Sequence, residues 1–423
     1  MHLSGLSPEK APPVAVPLGL FLMLPVFLVL AGAVLVCYGG DALATRWSPA
    51  ALAGVHLLVL GGLAPVMCGA LFQVAPVLLG TPFPAVRPVA LVTGASLGTG
   101  ALALAAGFLT GSPDWLLAGG VLAASGLGVF LIAATAALWS RGGRGETTRA
   151  VRLALVALAL TTLLGLSLVG ARHGDLDLPY RLAWVDVHAA WGIGGWIGLL
   201  LVGVAMDLLP MFYVTGGFGE RLRRWLVPGA FGLLVAVSLL YLAMAPALSA
   251  EWLFAAALAP HLVFLGQALR REKLRRRPRR DPTLTLWQSS HGMIVAALAA
   301  SLLGDLPVLN GVLLLGAGTA FVVGSLFKIV PFLSWLDLQQ RRMAAGAVTV
   351  RLPRLNELWP DKGAVAVTAA LATALAVLAA ASAWPPATSA GGGALVLAGA
   401  MLGYYLLRAN RLRLETLRRF GTA

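Results

Sequence analysis

The sequence is poor in charge. Asp, Glu, Lys and Arg make up only 11% of its 423 residues. A soluble globular chain carries about a quarter, so that class is excluded. Cysteine is nearly absent. Cys37 and Cys68 both fall inside apolar runs, with no CxxC spacing, which excludes a disulfide framework and a thiolate metal or redox motif. No stretch alternates apolar and polar residues in the manner of a membrane β-barrel. No loop is long enough to hold a soluble domain, and the first apolar run lacks a small-residue cleavage site, so it reads as a first span and not as a removed signal peptide.

What remains is hydrophobic: 59% of residues. Apolar runs long enough to cross a hydrocarbon core of about 30 Å recur along the chain, and without a barrel only helices can cross it. Twelve spans are predicted, over 12–38, 50–80, 88–109, 114–140, 149–171, 183–213, 226–247, 250–270, 282–304, 306–335, 363–385 and 388–408. The net charge of +14 sits in the short connections. That placement is a topogenic signal and argues against a nucleic-acid partner. With the N-terminus in the cytoplasm, 27 of the 31 Lys and Arg fall on the cytoplasmic side. Only Arg46, Arg172 and Arg181 fall outside, and Lys328 lies within a span. The predicted orientation is N-in and C-in. The densest basic run, 271–281, suits anionic lipid headgroups, and 351–360 suits an interfacial segment.

One short pattern occurs three times: Gly69-Ala-Leu-Phe-Gln73-Val-Ala-Pro76, Gly203-Val-Ala-Met-Asp207-Leu-Leu-Pro210 and Gly324-Ser-Leu-Phe-Lys328-Ile-Val-Pro331. The copies start 134 and 121 residues apart, each at the end of the second span of a four-span unit. Self-similarity at this period predicts three parallel four-helix pseudo-repeats, 12–140, 149–270 and 282–408, in a single all-α membrane domain. The motif glycine permits close helix approach, and the motif proline is expected at a helix end, where a backbone donor is lost cheaply. The middle residues, Gln73, Asp207 and Lys328, are expected at similar depth. Asp207 and Lys328 read as a buried ion pair, bridged by Gln73, that either clamps two repeats together or forms part of an ion path.

Of six histidines, four fall inside spans: His56, His188, His261 and His291. An imidazole there needs a polar partner or a metal, and both readings stay open for each. His56 lies 20 residues before its motif proline and His188 lies 22 before its own. Two residues are about 200° on a helix, so the pair is not part of a threefold-symmetric metal site. Met67 and Cys68 read as packing. The glycines at 194, 195 and 198 read as close helix contact.

Twelve spans in three units of four, with a His early on helix 2 and another on helix 6, resemble subunit I of haem-copper oxidases. The segments 56–79 and 188–212 and Lys328-Ile-Val-Pro-Phe-Leu-Ser-Trp335 are similar to bacterial twelve-span proteins described as oxidase subunit I-like. NnrS-type haem-copper proteins are a more distant likeness. The resemblance implies a bacterial cytoplasmic-membrane protein that binds haem or copper for electron transfer, metal handling or nitric oxide response, with His56 as a haem ligand and His188 as a copper ligand. It also implies a cytochrome or copper-protein partner. The family's further histidines on helices 7 and 10 are missing here, since 226–247 and 306–335 contain none. Oxygen or nitric oxide reduction is therefore not expected. His291 is expected as a further cofactor ligand and His261 as a further metal ligand, each only if packing brings it to His56 or His188. The alternative is a non-redox carrier or scaffold on the same fold.

Overall fold

The computed structural model describes residues 12–140, 145–245, 248–276, 281–304 and 306–421. They are helical throughout, with no strand among the described residues. Twelve helices are long and apolar enough to cross a membrane: α1 Ala15–Leu43, α2 Pro49–Val77, α3 Val86–Thr110, α4 Pro113–Trp139, α5 Glu146–His173, α6 Arg181–Tyr213, α7 Glu220–Ala243, α8 Ala250–Lys273, α9 Pro282–Leu303, α10 Pro307–Ala344, α11 Asp361–Ala381 and α12 Pro385–Arg418. Each coincides with a predicted span. The bundle has a basic end, where the Lys- and Arg-rich connections gather, and an opposite end with few of them. Part of the 271–281 run lies outside the described residues.

The three motif helices form the interior. Burial reaches 67% in α2, 67% in α6 and 78% in α10, against 22–50% in the other nine. They meet at Gly318 of α10, where an added Cβ would lie 3.4 Å from Ile197 of α6 and 3.9 Å from Leu63 of α2. Around them, small residues let neighbours approach to backbone contact, the usual solution where lipid removes the hydrophobic drive between helices. A Cβ on Gly32 of α1 would come within 2.7 Å of the Gly392 carbonyl of α12, and one on Gly392 within 2.7 Å of the Gly32 carbonyl. The first and last spans are thereby sealed together.

Two helices depart from the expected outline. The motif prolines Pro76 and Pro210 lie close to their helix ends, but Pro331 lies well inside α10, which runs on to Ala344. Helix α12 likewise continues to Arg418. The extensions stabilise each other: Asp337 accepts from Arg341 at 2.9 Å within α10 and from the buried Arg413 of α12 at 2.6 Å. The expected interfacial segment is reduced to one helical turn, Leu355–Leu358, held by Arg408 donating to the Glu357 carbonyl at 2.8 Å.

The second departure is internal. Helix α2 is π-helical over Leu57–Leu63 and α6 over Trp191–Gly198. Both segments begin nineteen residues before the motif proline and contain a Gly-Gly pair. Each starts one to three residues after a histidine. A π turn inserts an extra residue into the helix and often marks a functional site.

Candidate functional site

The charged motif residues do not pair as expected. Asp207 binds Arg223, from the start of α7, at 2.7 Å and accepts from Thr147, at the start of α5, at 2.6 Å. Lys328 instead binds Asp281 at 2.5 Å. That carboxylate also accepts from Tyr213 at 2.8 Å and caps α9 through the Leu284 N–H at 2.9 Å. Gln73 is half-buried and bridges neither charge. The reason is position. Both charges reach the basic end, where the beginnings of α7 and α9 offer nearer partners, so no charge has to be neutralised across the core. Each charge ties its helix to the start of a neighbouring one.

The four intramembrane histidines sort into two pairs at different depths. The first is His56 and His188, towards the opposite end. The Nδ1 of His56 lies 2.8 Å from the Leu52 carbonyl, one turn back on α2. The Nδ1 of His188 lies 3.0 Å from the Thr161 carbonyl of α5. A carbonyl only accepts, so each Nδ1 carries the proton and each Nε2 keeps a free lone pair. The carbonyl contact fixes the tautomer and orientation of each ring, as it does for histidines that ligate metals. The His56 ring packs on Phe108 at 5.0 Å between centroids. The His188 ring fills the space left by Gly165, where a Cβ would lie 3.0 Å from Cε1.

A polar clamp beside this pair fixes the relation of its helices. Asp186, two residues before His188 and almost fully buried, receives Arg46 from the segment leading into α2 and the Tyr241 hydroxyl of α7 at 2.8 Å. Trp191 donates to Ser238 of α7 at 3.1 Å. The clamp binds the entrance of α2 to α6 and α7. Sequence reading passed it over, because Arg46 looks like an outer-loop charge and Asp186 like a helix-end residue.

The second pair is His261 and His291, which line one cavity of about 60 Å³ with Gly198, Ser290, Phe264 and Gly318. His261 rests against the π segment of α6: a Cβ on Gly198 would lie 2.5 Å from its Nε2. Its Nδ1 has no hydrogen-bond partner, nor has the Nε2 of His291 or the Oε1 of Glu272. Those last two atoms stand 3.6 Å apart, too far for a hydrogen bond. Glu272 is 1% exposed, and its other oxygen accepts from Gln288 at 3.0 Å. Such a cavity has room for a few waters. Glu272 was hidden in a basic run that reads as loop, yet it lies eleven residues after His261. That is three turns, to within about 20°, and puts both on one helix face.

This sorting corrects two expectations. His291 does not join His56 and His188 in one cofactor site, and His188 does not share a metal site with His261. His261 packs at Gly198, ten residues along α6 from His188, a drop of about 15 Å. The α8–α9 hairpin carries His261 and His291 together, and so keeps both at the deeper level. Among the described residues no group of three His, Cys, Asp or Glu side chains is placed to hold a metal ion. Cys68 is buried and free, as packing requires.

No protein-family model matches the chain, and no curated protein sequence matches it.

Proposed function

We propose that the chain is a cytoplasmic-membrane protein similar to subunit I of haem-copper oxidases, which holds one haem between His56 and His188 for electron transfer. The observation that carries the reading is the pair of anchored imidazoles, each with Nδ1 committed to a carbonyl and Nε2 free, on helices whose outer ends Arg46 and Asp186 tie together. His56 and His188 would hold a haem through their free Nε2 atoms, whereas copper would need further protein donors. Haem therefore fits the donor set better than copper. When bound it would supply one-electron chemistry. The chain's own residues set the tautomers through Leu52 and Thr161 and hold α2 to α6 through Arg46 and Asp186. The electron donor would be a cytochrome or copper protein.

The matching registers of the π segments in α2 and α6 support a parallel repeat of the first two units, and the 27 to 3 division of basic residues supports N-in and C-in. The repeat also explains the two-residue offset between His56 and His188. Identical positions on helices related by a rotation point around the ring in the same sense. An offset of about 200° turns one back towards the other. Optical spectra of purified protein, oxidised and dithionite-reduced, test the proposal. Soret and α bands are expected, and should be lost in His56→Ala and in His188→Ala. A colourless wild type from haem-replete cells would refute it.

The second reading, a non-redox carrier on the same fold, is favoured by His261 Nδ1 and His291 Nε2, buried without hydrogen-bond partners on residues that line the deeper cavity, and by the Glu272 carboxylate 3.6 Å from His291. Buried polar atoms without partners call for water or an ion. Proteoliposomes loaded with a pH-sensitive dye test it. Proton flux that Glu272→Gln reduces at least tenfold would support it, and flux equal to that of empty vesicles would reject it.

A further inference from the structure

A second cavity contains neither histidine pair. It has a volume of about 140 Å³ and lies among α1, α2, α10, α11 and α12. It runs from Arg46 and Pro307 at the opposite end down to Thr319 of α10. Twelve residues of helix make that about 18 Å, more than half the thickness of a hydrocarbon core of about 30 Å. Its wall is apolar along the whole length. The two polar groups that touch it are already engaged: the Thr319 hydroxyl donates to the Leu315 carbonyl at 2.8 Å, and Arg46 is held by Asp186. No histidine lines it. The residue of α10 at the repeat position of His56 is Gly311, and the α2 residues facing the slot are Ala51, Gly54, Val55 and Leu58.

A site with no ligand atom and no free donor cannot select a haem, an ion or a sugar. What it can select is length and apolarity. Dry apolar cavities of about 150 Å³ bind apolar molecules outright, and an unfilled one destabilises the fold in proportion to its volume. Two glycines widen the slot: nothing lies within 4 Å of a Cβ built on Gly54 or on Gly311. Helix contacts elsewhere in the bundle use glycine to bring backbones together, whereas here glycine leaves room.

We infer that this slot is a binding site for a single hydrocarbon chain, the tail of a membrane amphiphile whose head group stays at the mouth near Arg46. The chain lies along α10 between α2 and α11. An acyl tail and an isoprenoid tail share this chemistry. The inference is independent of haem binding at His56 and His188.

The test compares wild type with Gly54→Leu and Gly311→Leu, whose side chains enter the void and not a neighbouring backbone. Each protein is purified in dodecyl maltoside, extracted with organic solvent, and the extract quantified by mass spectrometry against protein. The expected result is about one chain-bearing molecule per wild-type protein that both variants lose at least fivefold, with the remaining annular lipid unchanged. A straight acyl chain in the lost species names a phospholipid or fatty acid as the source, and a branched polyene names an isoprenoid. Equal lipid content in folded variants would overturn the site. Should the variants fail to fold, delipidated wild type is titrated with palmitate while its melting temperature is followed. A rise that saturates at one equivalent supports the site, and no saturable rise overturns it.

Discussion

At the scale of single residues, the polar side chains in this bundle are where hydrogen bonding puts them, not where charge complementarity along a repeat would. Asp207 and Lys328 are legible in the sequence as costly intramembrane charges. Their partners, Arg223 and Asp281, are not, because both sit in segments that hydropathy assigns to loops. The distinction is measurable. In a double-mutant cycle, Asp207→Asn with Arg223→Met should show a coupling of about 1–2 kcal/mol in detergent unfolding, below the 3–5 of a fully buried pair because both side chains are a quarter exposed. Asp207→Asn with Lys328→Met should be additive within about 0.5 kcal/mol. Coupling of the second pair and not the first would mean that the charges meet across the core after all. The histidines follow the same logic. The sequence shows that four of them lie in apolar spans, but depth along neighbouring helices, which sorts them into His56 with His188 and His261 with His291, depends on packing.

At the scale of elements, hydropathy located all twelve spans, because a helix in lipid must be apolar over its whole crossing. It missed the π segments of α2 and α6, since one extra residue in a turn leaves composition unchanged. The trace that does exist is the Gly-Gly pair at 61–62 and again at 194–195. Each segment takes up one extra residue between a histidine and its motif. Deleting one residue within Leu57–Leu63 should restore α-helical pitch and leave His56 facing nearly as before, because the extra residue is what the wider turn absorbs. If haem binds as proposed, the Soret band survives that deletion and is lost in His56→Ala. A lost band would show that the π geometry itself is what aims the ring. Pro331 teaches a related lesson. A proline permits a helix end without imposing one, and the Asp337 link to Arg413 carries α10 well past it.

At the scale of the whole molecule, the three motif helices stand out in the sequence by a shared pattern and in the structure by burial. What repetition did not reveal is how the periphery is sealed. The seam of Gly32 and Gly392 joins spans at the two ends of the sequence. Gly392→Leu should cost about 1–3 kcal/mol by overpacking against the Gly32 carbonyl, seen as a lower melting temperature in detergent. Gly393→Leu, where nothing lies within 4 Å of an added Cβ, should leave it unchanged. Equal effects at both positions would argue against a close α1–α12 contact.

That seam also has a consequence in time. A chain inserted into a membrane span by span presents α1 before α12, so the glycine face of α1 waits, uncovered, until α12 has entered. The bundle is then a clasp that its twelfth span fastens. Until that moment α1 has α2 against it but no partner on its Gly32 face.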